Sequence, residues 1–285
     1  MTKAFVKLVW RARRRFDKDT QMTRLTPTFQ RLAQNNTAGF VAYVMAGDPD
    51  ADTTLAMMRG LANAGADVIE LGVPFTDPMA DGPTIQRAAI RALAGGMTLN
   101  GVLEIVRRFR ETDGDTPVVL MGYANPFFSR GYTSTADAMA QAGADGVICV
   151  DIPPEEDAEF RTALHGHGLA FVRLAAPTTS DARLPQVVTH ASGFVYYVST
   201  TGVTGAGSGE TGDIETAVAR VRQASGLPVA VGFGVKTPER AAGIGRVADA
   251  VVVGSAIVDA LDTRGVDAAL TLAARLADAA HAARR

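Results

Sequence analysis

Short, uninterrupted apolar runs alternate with longer amphipathic stretches along most of this chain. Eight such runs can be counted, at 40–47, 67–73, 117–124, 145–152, 169–176, 193–200, 228–235 and 249–255. Because they are continuously apolar, they are typical of parallel strands that are buried on both faces. The stretches between them have helical periodicity, and in 102–111 the side chains of Val102, Ile105, Val106 and Phe109 share one face. The pattern therefore predicts eight strand–helix units.

The length of these units favours an α/β fold of one domain, a (β/α)8 TIM barrel preceded by a short N-terminal helix. Residues 22–285 are 264 residues, or 33 for each of eight units, and such a barrel typically needs about 250 residues. A weak internal repeat supports the count, since NAGADVIELG (63–72) and QAGADGVICV (141–150) each end a helix at glycine and enter a strand. A doubly wound open sheet is the alternative, but its GxGxxG nucleotide fingerprint is missing.

Residues 1–21 differ from the rest of the chain. They carry seven basic and two acidic side chains, or +5, so residues 22–285 carry −7 of the overall net charge of −2. No small-residue cleavage site follows an apolar stretch, so a secretory signal is not expected. A basic arm for a membrane or a nucleic acid is one interpretation. We favour a disordered or artefactual extension, with Met22 as the natural first residue of a catalytic barrel domain at 22–285.

The composition excludes several classes of function. A net charge of −2 gives no general case for nucleic-acid binding, and no apolar run approaches the roughly 20 residues that span a membrane. Cys149 is the only cysteine, which excludes an internal disulfide and a multi-cysteine metal site. No histidine ends a strand, so a histidine-ligated metal is not expected. Lys236, the only lysine in 22–285, is poorly placed to form a Schiff base. We predict a cytoplasmic protein without a metal.

Two carboxylates stand where a barrel carries its reactive groups, at and after the carboxyl end of the second strand. Glu70 lies inside the apolar run VIELGVPF, where an ionised carboxylate is costly, so it must be paired or have a raised pKa. A raised pKa suits a general acid or base at neutral pH. The alternatives are a structural glutamate that binds backbone amides and, for Asp81, a helix cap.

Glycines near the end of the chain predict a phosphate site. Gly234 follows the seventh strand, and Gly254 and Ser255 follow the eighth, which is a common phosphate site in this fold. Gly205, after the sixth strand, could join them. The surrounding run at 200–209 contains four glycines, and we interpret it as a mobile lid.

Several motifs resemble those of the tryptophan synthase α chain family. The most specific is IELGVPFTDPMADGP (69–83), and the others are FVAYVMAGDP (40–49), GYANPFF (122–128), SGFVYYVSTTGVTG (192–205), VGFGVKTPE (231–239) and VVVGSAIV (251–258). The resemblance implies a lyase of tryptophan biosynthesis that cleaves indole-3-glycerol phosphate to indole and D-glyceraldehyde 3-phosphate. It also implies no cofactor in this chain, and a β subunit partner that carries pyridoxal phosphate in an α2β2 heterotetramer.

The resemblance assigns roles to individual residues. Glu70 matches the essential acid/base, Asp81 the carboxylate that faces the indole N–H, and Tyr196 the active-site tyrosine. The amides that bind phosphate are matched by Gly205, Gly234, Gly254 and Ser255. The walls of the indole pocket are matched by Tyr43, Met121, Tyr123, Ile148 and Phe233, and the lid residue by Thr204. Tyr43, Phe194 and Thr200 depart from the commonest family pattern, which leaves the shape of the pocket and the lid contacts open.

The loops at the mouth of the barrel are rich in proline and apolar side chains, which is more typical of an interface than of a solvated loop. With the resemblance, we expect Pro74, Asp77, Asn125 and Pro153 to contact the β subunit. Ordinary rigid turns are the alternative interpretation of these prolines.

The residues and the resemblance predict the same chemistry, a retro-aldol cleavage that begins with protonation of indole C3 by Glu70. Two other functions stay open on the residues alone. A phosphosugar isomerase on the same fold would need no aromatic pocket, and a non-catalytic regulatory barrel subunit would be expected to have a degraded site.

Overall fold

The computed structural model describes residues 23–199, 211–232 and 234–284. Eight parallel strands close into a barrel in the order of the sequence: β1 (Gly39–Met45), β2 (Val68–Gly72), β3 (Val118–Gly122), β4 (Gly146–Cys149), β5 (Ala170–Ala175), β6 (Val195–Val198), β7 (Val229–Gly232) and β8 (Ala250–Val253). The barrel closes where β8 pairs with β1, with Val251 opposite Phe40. The predicted (β/α)8 barrel is confirmed, whereas the predicted extension at 1–21 lies outside the described residues.

Helices surround the barrel on the outside. In the described ranges they are α1 (Leu25–Gln34), α2 (Ala51–Asn63), α3 (Pro83–Ala94), α4 (Leu99–Arg110), α5 (Ala124–Phe128), α6 (Tyr132–Ala142), α7 (Ala158–Gly166), α8 (Leu184–Val188), α9 (Thr211–Ser225), α10 (Pro238–Gly245), α11 (Ser255–Arg264) and α12 (Val266–Ala282). None of them alone is long and apolar enough to cross a membrane, and only the bent pair α3 and α4 passes on length and composition.

The strands are largely apolar on both faces because each separates two apolar layers, and Glu70 on β2 and Arg173 on β5 are the buried charged residues within the strands. Alternate side chains point inward, where Val41, Val68 and Val119 belong to one cluster. The residues between them, such as Phe40 and Ile69, pack outward against the helices. The predicted runs extend beyond most of the strand ends; after β1 the flanking Ala46 and Gly47 are still buried, whereas after β4 Asp151 is exposed.

Helix α1 closes the amino end of the barrel, as the predicted N-terminal helix requires. Leu25, Phe29 and Leu32 belong to the inner cluster, and the Phe29 ring lies 5.4 Å from that of Phe194. Phe194 therefore packs at the end opposite the mouth, so its departure from the family pattern does not shape the pocket directly.

An acceptor side chain precedes each even-numbered strand at the amino end. It accepts a hydrogen bond of 2.8–3.0 Å from a backbone N–H at the start of the preceding strand. The acceptors are Asp67, Asp145, Ser192 and Asp249, and the donors are the amides of Phe40, Val118, Phe171 and Val229. The three aspartates also pair with arginines. These bonds satisfy N–H groups that would otherwise be unpaired inside the protein.

Candidate active site

Glu70 lies on the inner face of β2, with Tyr43 and Val119 opposite it on the neighbouring strands. Its side chain is 1% exposed, and Oε2 has no hydrogen-bond partner among the residues that the structure describes. Burial, followed by the charge of Asp81, raises the pKa of Glu70 to about 8. The carboxyl is therefore protonated at neutral pH, and the alternative of a structural glutamate has no support at Oε2.

Asp81 lies in the loop between β2 and α3. Gly82, not Asp81, is the N-cap of α3, so the helix-cap alternative is wrong. The carboxylate instead interacts with the Tyr123 hydroxyl, which also accepts the Ala80 N–H at 3.1 Å. Burial raises the pKa of Asp81 to about 6, against the lowering effect of the Tyr123 hydrogen bond. Asp81 is therefore largely ionised at neutral pH while Glu70 stays protonated.

Two tyrosines cross the mouth over glycines. A Cβ on Gly72 would lie 2.2 Å from the Tyr43 hydroxyl, and one on Gly232 would lie 2.6 Å from that of Tyr196. Burial, and then the charges of Asp81 and Glu70, raise the pKa of Tyr43, and burial followed by the charge of Glu70 raises the pKa of Tyr196. Both hydroxyls are therefore protonated and can donate. Sequence reasoning missed Gly72 and Gly232, although each is a glycine at the end of a buried strand.

Apolar side chains form a wall beside Glu70. Met121 and Ile148 lie opposite each other on β3 and β4 and face inward. Met121 also packs in the cluster that contains Tyr43. The structure thus brings four predicted pocket residues to one side of the mouth, since Tyr123 follows Met121 on the same strand end. Phe233, the fifth, lies outside the described residues.

One glycine lies in the loop after β7 and another directly follows β8. Gly234 has a φ of +71° with open space where a Cβ would stand, and it is exposed. Gly254 precedes α11, whose first residue is Ser255 and whose N-terminus has no side-chain cap. A separate cavity of about 400 Å³ runs along the outside of α11, where its lining includes Ser255, Asp259, Arg264 and Leu272. The uncapped N-terminus of α11 favours an anion beside Gly254 and Ser255.

The predicted lid, with Thr204 and Gly205, lies outside the described residues, as does Thr200. Across the described ranges, no group of three or more histidine, cysteine, aspartate or glutamate side chains could hold a metal ion.

The mouth loops differ in exposure. Asp77, Asn125 and Pro153 are exposed, as the predicted interface requires, but Pro74 is buried. Its prediction as a contact residue is therefore corrected, because Pro74 packs within the chain at the end of β2. Phe128 is 55% exposed, whereas Phe127 is fully buried.

Comparisons with known proteins agree with this arrangement. The family model described as tryptophan synthase alpha chain matches residues 29–283. The tryptophan synthase alpha chain of Caulobacter sp. (strain K31) is 57% identical over 267 residues, which cover 92% of this chain and 97% of the relative. That of Phenylobacterium zucineum (strain HLK1) is 59% identical over 236 residues, or 83% and 85% of the two chains.

Solved structures show the same similarity. A tryptophan synthase alpha chain from Legionella pneumophila subsp. pneumophila superposes with a TM-score of 0.83 at 39% identity, covering 91% of this chain and 97% of the other. A Mycobacterium tuberculosis tryptophan synthase structure gives a TM-score of 0.85 at 39% identity, with 92% and 99% covered. The family model spans most of the barrel and the relatives exceed half identity, so the chain belongs to the tryptophan synthase alpha chain family.

Proposed function

We propose that this chain is a carbon–carbon lyase that catalyses the α reaction of tryptophan synthase, the cleavage of indole-3-glycerol phosphate to indole and D-glyceraldehyde 3-phosphate. The observation that carries the proposal is the buried Glu70 carboxyl, whose Oε2 has no partner among the described residues, in the same mouth as Asp81. Burial raises the pKa of Glu70 to about 8 and that of Asp81 to about 6. Near pH 7 this pair supplies one acid and one anion together. Membership of the family gives no support to the isomerase or the regulatory barrel.

The indole ring cannot leave as a carbanion, so C3 is protonated first. The Glu70 carboxyl gives its proton to C3, and the Asp81 carboxylate stabilises the positive charge that develops at N1. Glu70, now a carboxylate, accepts the proton of the 3′-hydroxyl. The bond between C3 and the glycerol carbon breaks, its electron pair returns to the ring, and the aldehyde forms. Glu70 ends the cycle protonated, as it began.

The remaining site residues bind and orient the substrate. Tyr43, Met121, Tyr123 and Ile148 form the apolar wall for the indole ring, together with Phe233. We assign the phosphate to the amides of Gly234, Gly254 and Ser255, joined by Gly205. The open space at Gly234 and the uncapped N-terminus of α11 support this assignment. Tyr196 donates from its buried hydroxyl beside Glu70, and Thr204 closes the lid over Asp81.

The α chains of tryptophan synthase need no cofactor, and pyridoxal phosphate belongs to the β subunit. We propose that this chain assembles with a tryptophan synthase β subunit in an α2β2 heterotetramer, in the cytoplasm, through mouth loops that include Asp77, Asn125 and Pro153. We also propose that residues 1–21 are a dispensable extension. A chain that begins at Met22 should then fold and cleave substrate as the full chain does.

The test is an indole-release assay on indole-3-glycerol phosphate across pH 5–9, with and without a β subunit. The two carboxyls predict a bell-shaped profile for kcat/KM with limbs near pH 6 and pH 8. Asp81→Asn should lose most of the activity, because an amide cannot balance the cationic intermediate. Indole release by the wild type that stays absent with and without the β subunit would contradict the proposal.

A further inference from the structure

The loop between β4 and α7 ends on an aspartate that does not cap its helix. Asp157 directly precedes α7, yet its side chain makes no capping hydrogen bond. The carboxylate is buried and forms ion pairs with Arg173 and with Arg161, the latter at 3.1 Å. Aspartate is a preferred N-cap residue, but here its carboxylate pairs with arginines instead of the first N–H groups of the helix.

Arg173 is a buried cation on β5 that the proposed reaction does not use. Its neighbours Val172 and Leu174 face the barrel interior, so Arg173 faces outward beneath the helices. The side chain is 5% exposed, and its guanidinium lies 4.1 Å from the centroid of the Phe171 ring. Burial lowers the pKa of Arg173 to about 10, which leaves it protonated at neutral pH.

The pair of Arg173 and Asp157 is a poor choice for stability alone. Replacing a buried ion pair by apolar residues of similar volume is often neutral or stabilising, because the desolvation of both charges opposes their attraction. A buried ion pair between two elements fixes their relative orientation, because few geometries keep both charges paired. Here it fixes the β4–α7 loop relative to β5. The loop that it holds carries Pro153, which is exposed at the mouth.

Two further contacts tie this loop to its neighbours. The Asp151 carboxylate accepts the Ala124 N–H at 2.7 Å, which joins the loop to α5 after β3. Glu155 pairs with both terminal nitrogens of Arg183, which joins it to the loop after β5. The loop from 150 to 157 is therefore held on both sides as well as from beneath.

An aromatic path connects Arg173 to the exposed ring of Phe128. Phe171 contacts Phe160 at 5.7 Å between ring centroids, Phe160 stacks on Tyr132 at 4.4 Å, and Tyr132 contacts Phe128 at 5.1 Å. Arg173 is thus connected to both exposed residues, to Pro153 through Asp157 and the loop and to Phe128 through the aromatic contacts.

We propose that Arg173 is a positioning residue for docking of the β subunit, acting through Asp157 to hold the β4–α7 loop in its docking conformation. The inference rests on the proposed complex with the β subunit. Phe128, Asn125 and Pro153 then form one preformed surface, and association does not have to order the loop, which lowers the entropic cost of binding.

The test compares two Arg→Met variants. Arg173→Met removes the charge and keeps an unbranched side chain, and Arg110→Met does the same to a buried pair at the opposite end of the barrel, Arg110 with Asp145 at 2.8 Å. Calorimetric titration gives the Kd for the tryptophan synthase β subunit of the same organism. Indole release by the α chain alone and the thermal midpoint are measured beside it.

We expect Arg173→Met to weaken binding of the β subunit by ~10-fold or more, or about 1.4 kcal/mol. Indole release without the β subunit should stay within about twofold of wild type, because Arg173 faces outward and does not contact the barrel interior. Arg110→Met should lower the thermal midpoint and leave the Kd unchanged. Arg173→Lys, which keeps a cation for Asp157, should recover most of the lost affinity.

Unchanged affinity in Arg173→Met overturns the inference, as does an equal loss of affinity in Arg110→Met, which would make the effect one of general stability. If Arg173→Met fails to fold, Asp157→Asn replaces it, with the same expected loss of affinity. A wild-type chain that does not bind the β subunit overturns the proposed complex itself. A wild type that binds, beside an Arg173→Met that binds equally well, overturns only the role of Arg173.

Discussion

At the amino end of the barrel, Asp67 accepts hydrogen bonds from the Phe40 amide, from Arg31 and from His281. At the mouth, the buried Glu70 has an oxygen without a partner in the described part of the chain. Burial raises the pKa at both places, but at Asp67 the hydrogen bonds outweigh it and the net shift is downward. At Glu70 no described residue opposes burial, the charge of Asp81 adds to its effect, and the pKa rises to about 8.

The difference lies in the donors around each carboxyl group, because both groups are buried. Donors around Asp67 lower its pKa, so it stays an anion that accepts a hydrogen bond from the start of β1. Among the residues that the structure describes, no donor reaches Oε2 of Glu70, which keeps the proton of the carboxyl available for transfer. A carboxyl that is poised for catalysis is therefore one that the fold does not use for its own stability.

The largest expected effect is on the reaction at the mouth. Glu70→Gln keeps the shape of the side chain but cannot donate and retrieve a proton. We expect indole release to fall by ~10²–10⁴-fold, the usual range for a general acid–base group. Circular dichroism checks that the fold is native. Near-normal turnover in a natively folded variant would remove Glu70 from the mechanism.

The second prediction concerns stability against pH. The pKa of Glu70 is about 8 in the folded chain against 4.5 for an exposed group, so folding retains a proton that the unfolded chain has released. The contribution of Glu70 to the free energy of unfolding is therefore full below the pKa of the unfolded group. It is lost as pH rises from about 5 through 8, by at most about 5 kcal/mol. In urea unfolding, the free energy of unfolding of Glu70→Gln should therefore increase relative to that of the wild type as pH rises over this range.

Asp67 supplies the matched control for that titration. Its pKa is lowered in the folded chain, so its contribution is present above the pKa of the unfolded group and is lost as pH falls through the folded value. Asp67→Asn should therefore change the pH dependence only on the acid side, below about pH 4. A Glu70→Gln curve that runs parallel to the wild type from pH 5 to 8 would contradict the raised pKa.

The third prediction is a substitution at the amino end that should lower stability and leave activity unchanged, the opposite of Glu70→Gln. Asp145 accepts hydrogen bonds from the Val118 amide at 2.9 Å and from Arg110 at 2.8 Å. Asp145→Ala leaves a buried cation with less compensation, and we expect it to cost about 3 kcal/mol of unfolding free energy. Indole release at 20 °C should stay close to wild type. Loss of activity in the folded fraction would show that the two ends are coupled.

The smallest expected effect tests how Asp81 is held. Tyr123→Phe keeps the ring but removes the hydroxyl that interacts with Asp81 and accepts the Ala80 N–H. The pKa of Asp81 should rise further, because that hydrogen bond lowers it. We expect the acid limb of the kcat/KM profile to move to higher pH, with a loss of ~10-fold at pH 6, which is typical of a charge-assisted hydrogen bond. An unmoved acid limb would make Tyr123 only a wall of the pocket.

The sequence alone determined the barrel fold and that its mouth carries a buried carboxyl group. Continuous apolar runs identify strands buried on both faces, and Glu70 within such a run already implies a costly charge. These inferences hold because each depends on the period of a short segment or on one residue in an apolar setting. The family motifs added the roles of Asp81, Tyr196 and the terminal glycines.

Only the tertiary structure decided which groups meet across strands. The contact of Tyr123 with Asp81, the tyrosines that cross Gly72 and Gly232, and the burial of Pro74 all arise where separate loops or strands meet. Closure of the barrel fixes these distances, and no local pattern encodes them. Asp157 shows the limit most clearly, because its position next to α7 predicts a helix cap, while the packing of β5 turns its carboxylate to Arg173.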